Sequence, residues 1–357
     1  MAQHPKTTGV WILIGLVVAL LCAGTAPRPV SAQQQDLMPL RLSVSVTPNK
    51  LINVVAMSEG LYKKNGIDMD LSISPGSAKT AFERAGIRVP KEHISAEAAD
   101  EDVVNTLSPY TIGGGVPTMN RVAKTPGPAK TVIILSTEDL TNWPIITRKS
   151  ITRPDQLKGK RIGVSGLTNT SGFQARLFVK TMGWDLSYVT FVPGISSLED
   201  LKSGRVDAMT GDELTNFTLK SSREYHALVD FNDWKVPMAS NGVNADRAWL
   251  QEPRNRELTR RFVKSMIEAI AIMKQNKEAA YRAMAQYYGI TDPKMQEHFY
   301  APALDLPRKP YPTLDGIKKT MELFDSSEMR RHKPEDFYDD SFVRELDQSG
   351  YIDSLYK

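Results

Sequence analysis

From residue 150 to Asp212 strands and helices alternate in a fixed order, and this alternation narrows the fold more than any other feature. Arg161-Ile162-Gly163-Val164 reads as a strand, 165–170 as a loop and 171–182 as a helix. A strand at 188–192, a helix at 197–203 closed by Gly204, and a strand at 206–209 follow, before Asp212 opens another helix. Strands separated by helices of this length imply a parallel sheet covered on both faces.

The rest of the chain surrounds that unit. Residues 40–46 and 67–73 alternate apolar and polar side chains with period two, as half-buried strands do. A helix through Val54, Val55 and Met57 stops near Gly60, with a short turn at 61–66. Residues 78–85 and 96–107 read as helices separated by a loop at 86–93, and Thr131–Ser136 reads as a β-branched buried strand. The last third is helical: 254–276, 277–288 and 313–324 are amphipathic, the last opened by Thr313 with Asp315 in its first turn. A chain of 357 residues exceeds what one core usually supports, so two lobes are expected.

The N-terminus reads as an export signal. Lys6 precedes an uncharged, mostly apolar run from Val10 to Gly24, and Val30-Ser31-Ala32 supplies the small residues a signal peptidase needs, so cleavage is expected after Ala32. The run is short for a membrane span; a retained anchor is the alternative. Cys22 is the only cysteine, and Leu21 before it departs from a lipoprotein signal. The mature chain then holds no disulfide, thiol nucleophile or cysteine-ligated metal. Removing Lys6 and Arg28 leaves 43 Lys and Arg against 41 Asp and Glu, a near-balance that gives no electrostatic footprint for nucleic acid. Charge is scattered, except for an acidic patch at Glu97, Asp100, Glu101 and Asp102.

Five segments, in order, carry a family resemblance. Glu59-Gly60-Leu61-Tyr62-Lys63-Lys64-Asn65-Gly66-Ile67-Asp68-Met69-Asp70-Leu71 is the first, and Gly113-Gly114-Gly115-Val116-Pro117 the second. Then come Leu157-Lys158-Gly159-Lys160-Arg161-Ile162-Gly163-Val164, Leu201-Lys202-Ser203-Gly204-Arg205-Val206-Asp207-Ala208, and Arg308-Lys309-Pro310-Tyr311-Pro312 with Gly316-Ile317. Together, over roughly residues 40–324, they resemble the ABC transporter substrate-binding proteins of the nitrate/sulfonate/taurine type, a group sharing a domain with thiamine-pyrimidine synthases. The resemblance implies an α/β, two-lobed periplasmic binding protein-like fold of type II, its lobes joined by two crossover strands. Residues 40–138 plus 242–357 would form lobe one and 139–241 lobe two, with crossings near 137–143 and 237–244. The stretch 72–112 is longer than the family's usual helix and short strand.

A cleft binder gathers strand ends and helix N-termini around one crevice. Three turns fit. Thr47-Pro48-Asn49-Lys50 follows the first strand, with Pro48 and Asn49 as candidate contacts. Gly113, Gly114 and Gly115 let backbone approach a ligand closely. Ser165-Gly166-Leu167-Thr168-Asn169-Thr170-Ser171 precedes a helix, and Thr168, Asn169, Thr170 and Ser171 offer hydroxyls and an amide to a polar head. Ordinary turn and capping chemistry accounts for the same residues. Asp212 and Glu213 sit where the resemblance places another cleft-facing turn: carboxylates there disfavour a pure anion and suit an amine or ring N–H, but they also suit a helix N-cap. Trp143, near the first crossing, either stacks on a ligand or packs a hinge. The five histidines show no metal-ligand spacing, and neither a phosphate loop nor a nucleophile elbow is present. No cofactor or metal is expected.

These features favour a monomeric, non-catalytic periplasmic protein that captures a small polar organic molecule between its lobes and delivers it to an ABC import permease in the inner membrane. A thiamine-pyrimidine synthase-like enzyme is the first alternative; that branch is cytosolic and uses a cysteine-rich motif absent here. A sensory domain that presents ligand to a membrane receptor is the second.

Overall fold

The computed structural model describes residues 1, 37–96, 109–125, 127, 129–239 and 241–357. The expected signal with Cys22 and Ala32, the acidic patch and most of the helix expected at 96–107 lie outside the described residues.

Strand β1 (Met38–Val44) leads through a 3-10 turn at Pro48–Lys50 into α1 (Leu51–Ser58) and the one-turn α2 (Leu61–Lys64). Gly60, between the two helices, has φ +67, a conformation open to glycine at no steric cost. Strand β2 (Ile67–Ile73) pairs parallel with β1, Leu42 opposite Leu71. Both strands bury alternate residues, as their period-two pattern predicts. Helix α3 (Pro75–Ala85) follows, capped by Ser74 accepting from Ser77 N.

A second sheet has the order β3 (Tyr110–Gly114), β10 (Asn241–Asp246), β4 (Thr131–Ser136), all antiparallel. Helix α4 (Gly115–Val122) starts directly at the end of β3, so the triple glycine is a strand-to-helix junction, not a loop. The third sheet comprises β5 (Pro144–Arg148), β6 (Arg161–Gly163), β7 (Thr190–Val192), β8 (Ala208–Thr210) and β9 (Tyr225–Asp230), in the order β7-β6-β8-β5-β9. β7, β6 and β8, the three strands of the α/β alternation, run parallel as it predicts; β5, outside that alternation, is antiparallel to both its neighbours, so the sheet as a whole is mixed. The strand that breaks the pattern enters from the other lobe, so no helix crossover precedes it. Helices α5 (Thr170–Thr181), α6 (Leu198–Lys202) and α7 (Glu213–Leu219) belong to this unit.

Helices α8 (Pro253–Gln275), α9 (Lys277–Ala283), α10 (Pro293–Tyr300), α11 (Leu314–Leu323), α12 (Ser341–Gln348) and α13 (Tyr351–Ser354) complete the chain. A π-turn at Met284–Tyr288 extends α9 to the end of the expected 277–288 helix. Helix α8 buries Phe262, Val263, Met266, Ile267 and Ile270 in the cluster that covers β1 and β2, with the Phe262 ring stacked on Tyr110, centroids 4.6 Å apart and planes nearly parallel. A second cluster joins Phe173 and Phe178 of α5 to Ile317 and Leu323 of α11, and to Phe324 and Phe337, so the C-terminal segment packs on both lobes. Burial of this apolar surface, at about 25 cal/mol per Å², is the main stabilising term.

Two linkers join the sheets, 137–143 outward and 231–240 back, and they pair with each other. Thr137 N donates to Asn241 O at 2.8 Å, Thr141 N to Val236 O at 2.9 Å and Met238 N to Asp139 O at 2.9 Å. Lys235, in the return linker, has φ +50, rare for a residue with a Cβ. Two helix starts press on the return linker. A Cβ at Gly316 would lie 2.4 Å from Met238 C, so only glycine permits that approach, and one at Gly115 would lie a tight 3.0 Å from Ala239 O.

Candidate functional site

Two cavities meet at the seam between the lobes. The inner one, about 310 Å³, draws Ser45, Thr47, Asn49, Lys50, Ile112, Gly113 and Asn241 from one side, and Ser165, Ser171, Ile195, Ser196, Thr210, Gly211, Asp212 and Glu213 from the other. The outer one, about 610 Å³, is bounded by the 137–143 linker, Pro48, Asn216, Asn232, Lys235, His298 and the turn at 301–305. Trp143 and Glu213 line both.

The expected residues divide. Asn49, Gly113, Trp143, Ser171, Asp212 and Glu213 face the inner cavity; Pro48, Trp143 and Glu213 face the outer one. Gly114, Gly115, Thr168, Asn169 and Thr170 line neither. Their roles are internal. Val116 N, one of the free donors at the start of α4, donates to Ala239 O at 2.8 Å, which commits the glycine junction to the hinge. Asn169 caps α5 through Gly172 N and accepts from Ser171 Oγ at 2.8 Å, while its Nδ2 donates to Ser165 Oγ. Thr168 is exposed, its carbonyl accepting from Asn120 Nδ2, and Thr170 packs beneath Gly114.

The turn before α7 is different. Asp212 Oδ1 accepts from Thr215 N as an N-cap and also from Arg84 Nη2 at 2.7 Å, an ion pair that ties α3 to α7. Arg84 also donates to Thr215 Oγ1. Glu213 Oε1 accepts from Asn49 Nδ2 at 3.3 Å, and its carbonyl lies 2.7 Å from His298 Nε2. Three elements distant in sequence, α3, the turn after β1 and α10, thus hold the start of α7. Asp212 is therefore both cap and long-range contact.

Lys50 is the residue that sequence reasoning left out of the contacts, although it closes the Thr47-Pro48-Asn49-Lys50 turn. It is only 5% exposed, and among the described residues its ammonium makes no side-chain hydrogen bond or ion pair. Burial lowers its pKa to about 8, against the opposing pull of Glu138 and Glu213. Burial, with Glu138 and Asp212 nearby, raises Glu213 to about 8. Near neutrality the cleft therefore presents a charged Lys50 beside a largely protonated Glu213. Burial also holds His298 below its usual value. Several lining atoms are buried and lack partners among the described residues: Trp143 Nε1 and Thr210 Oγ1 in the inner cavity, Asn142 Oδ1 and Asn216 Oδ1 in the outer one. Unpaired buried polar groups each carry a desolvation cost of about 1–3 kcal/mol that a ligand relieves.

Among the described residues no group of three or more His, Cys, Asp or Glu is placed to hold a metal ion, and no helix is long and apolar enough to cross a membrane.

Comparison with known proteins places the chain. The NMT1/THI5-like family model matches residues 77–280, more than half of the sequence. No curated protein matches by sequence. Among solved structures, a sulfonate ABC transporter periplasmic sulfonate-binding protein SsuA from Methylobacillus flagellatus superposes with a TM-score of 0.61 at 15% identity, covering 89% of this chain and 96% of that one. The periplasmic aliphatic sulphonate-binding protein SsuA of Escherichia coli gives 0.56 at 15% identity, covering 82% and 93%. The desulfurization enzyme DSZB gives 0.59 at 17% identity, covering 87% and 99%, so the fold also hosts an enzyme. At these identities the likeness is one of fold, the periplasmic binding protein fold with two lobes around a cleft. The family-model match, over more than half of the sequence, makes this chain a member of the NMT1/THI5-like family.

Proposed function

We propose that this protein is the exported solute-binding subunit of an ABC importer and captures a small organic molecule with an acidic head between its lobes. The observation that carries this reading is Lys50, a buried ammonium with no side-chain hydrogen bond or ion pair among the described residues, facing a cavity lined by Ser45, Thr47, Ser165, Ser171, Ser196 and Thr210. A carboxylate or sulfonate seated there gains a charge-assisted hydrogen bond and relieves the cation's desolvation. The sulfonate binding named for the SsuA proteins is consistent with that chemistry. Lobe one is 40–138 plus 242–357 and lobe two 139–241; the paired linkers act as hinge, and the Arg84–Asp212 and Asn49–Glu213 contacts hold the closed form that a permease reads. The protein works as a monomer in the periplasm, its signal cleaved after Ala32.

Thermal-shift screening with short carboxylates and sulfonates tests this reading, since a ligand that binds only the folded state raises Tm. A Lys50→Met variant should bind the same acids about tenfold to a hundredfold more weakly. Undiminished affinity in that variant contradicts the reading.

One observation favours an enzyme instead. A lysine and a glutamate that both titrate near pH 8 in one cleft are the kind of pair that acid–base catalysis uses, and DSZB carries chemistry on this fold. Product appearing from a bound acid, abolished by Glu213→Gln, would establish that reading.

A further inference from the structure

The near-balance of charge along the chain hides a segregation within the third sheet. The strand registers place the end of β5 at Arg148 beside the starts of β6 at Arg161, β7 at Thr190, β8 at Ala208 and β9 at Tyr225. Ser165, Thr210 and Asp212, which line the inner cavity, follow β6 and β8 at the opposite end. Four ion pairs at the far end cancel internally: Arg153–Asp155, Arg161–Asp207, Lys202–Glu199 and Arg205–Asp200. Six more cations stand there without an ion pair among the described residues: Arg148, Lys149, Lys158, Lys160, Lys180 and Arg223. Across 148–161, 180–190, 199–207 and 222–225 the acids left over are Asp185 and Glu224, so this end carries an excess of four positive charges. That exceeds the excess of two on the whole chain after Ala32, so the remainder is net acidic.

The four lysines and Arg223 are exposed, and aromatic surface lies among them. Lys158 Nζ sits 5.3 Å from the centre of the Trp184 ring and 5.6 Å from that of Tyr188. Trp184 is buried beneath the lysine, whereas Tyr188 is 50% exposed. Gly159 N donates to the Tyr188 carbonyl at 2.7 Å and Thr190 N to the Lys160 carbonyl at 3.0 Å, which holds Lys158, Lys160 and Tyr188 on one rigid edge. An outward tyrosine among lysines matches a layer of lipid headgroups: the amphipathic ring rests at headgroup depth while the ammonium groups meet phosphates. Lysine is a compact, hydrated point charge suited to such a diffuse anionic layer; paired recognition of one carboxylate or base edge calls for the fork of arginine.

We propose that the far end of the third sheet is a docking surface for an anionic lipid bilayer, and that it holds the protein peripherally with the cleft turned away from the lipid and toward solute. This inference goes beyond solute binding and takes from that reading only the export of the chain, which brings it to a bilayer surface. The attraction is electrostatic, acts over about 10 Å at 0.1 M salt, and is reversible.

Co-sedimentation of the mature protein with lipid vesicles tests the proposal, and its outcome is independent of whether any solute binds. At about 50 mM salt, binding to phosphatidylcholine vesicles holding about 30 mol % phosphatidylglycerol should be at least about tenfold stronger than to phosphatidylcholine alone, and about 500 mM salt should abolish the difference. The triple variant K149E, K160E and R223E should lose the binding to anionic vesicles while its thermal unfolding stays unchanged, since none of the three side chains pairs with an acid or caps a helix. A Lys149→Gln, Lys160→Gln variant, which reverses no charge, should show an intermediate loss. Equal binding to both kinds of vesicle, or none at low salt, overturns the inference. So does a folded triple variant that still binds anionic vesicles. Retention on heparin without binding to vesicles assigns this end to a soluble polyanion and overturns the lipid assignment.

Discussion

The turns before α5 and α7 belong to the same lobe and look alike in sequence, Asn169-Thr170-Ser171 in one and Asp212-Glu213 in the other, yet they do different work. The first is satisfied within itself. Asn169 caps its helix, Ser171 accepts from Ser165 N, and the Ser165 and Ser171 hydroxyls lie 3.0 Å apart, leaving mainly hydroxyl faces toward the cavity. The second is satisfied by the other lobe, through Arg84, Asn49 and His298. One turn closes its own hydrogen bonds; the other takes its partners from α3, the turn after β1 and α10.

The sharpest way to break that contrast is Asp212→Ala. It removes an N-cap and a partly exposed ion pair, and should cost about 2 kcal/mol in urea denaturation, the cap contributing about 1 and the screened pair up to about 1. Ligand affinity should fall with it, because the closed state loses a contact that the open state lacks. A stability loss with unchanged affinity would show that the pair is not a closure contact.

Proton concentration acts on the same seam. Below about pH 8 Lys50 is charged and Glu213 protonated; above it Lys50 loses its charge and Glu213 gains one. Both changes oppose an acidic head, so affinity should decline above pH 8 in titration calorimetry, by about tenfold per pH unit for each of the two proton losses that binding feels. Affinity rising across that window would place the head elsewhere.

Asn169→Ala gives the smallest effect. It should cost about 1 kcal/mol of stability, and since Asn169 lines neither cavity, ligand affinity should change less than about twofold. A large loss of affinity there would erase the distinction between the two turns.

The sequence disclosed the elements that carry local pattern. Residues 67–73 and 131–136 were legible as strands to the residue, because period-two alternation and a β-branched run are properties of the segments themselves. Strands β5, β9 and β10 were not. Asn241-Gly242-Val243-Asn244-Ala245-Asp246 has little strand character; it is a strand because β3 and β4 pair on both sides, and a Cβ at Gly242 would meet Leu135 O at 2.1 Å. The site divides along the same line. Capping residues could be read in place, but whether Gly115 faces a ligand or the return linker depends on Ala239, more than a hundred residues away. Lys50 looked like a polar turn residue; its burial comes from packing against distant segments, and only its place at the end of a cleft-facing turn hinted at it.

Lys50→Met measures the central claim most directly, by thermal unfolding with and without acid. A cation kept for binding is costly to bury, so the variant without ligand should melt at the same temperature or higher, while the rise produced by acidic ligands on the native protein disappears. A variant that melts lower and keeps its ligand-induced rise would mean that Lys50 is structural and that the acidic head binds elsewhere.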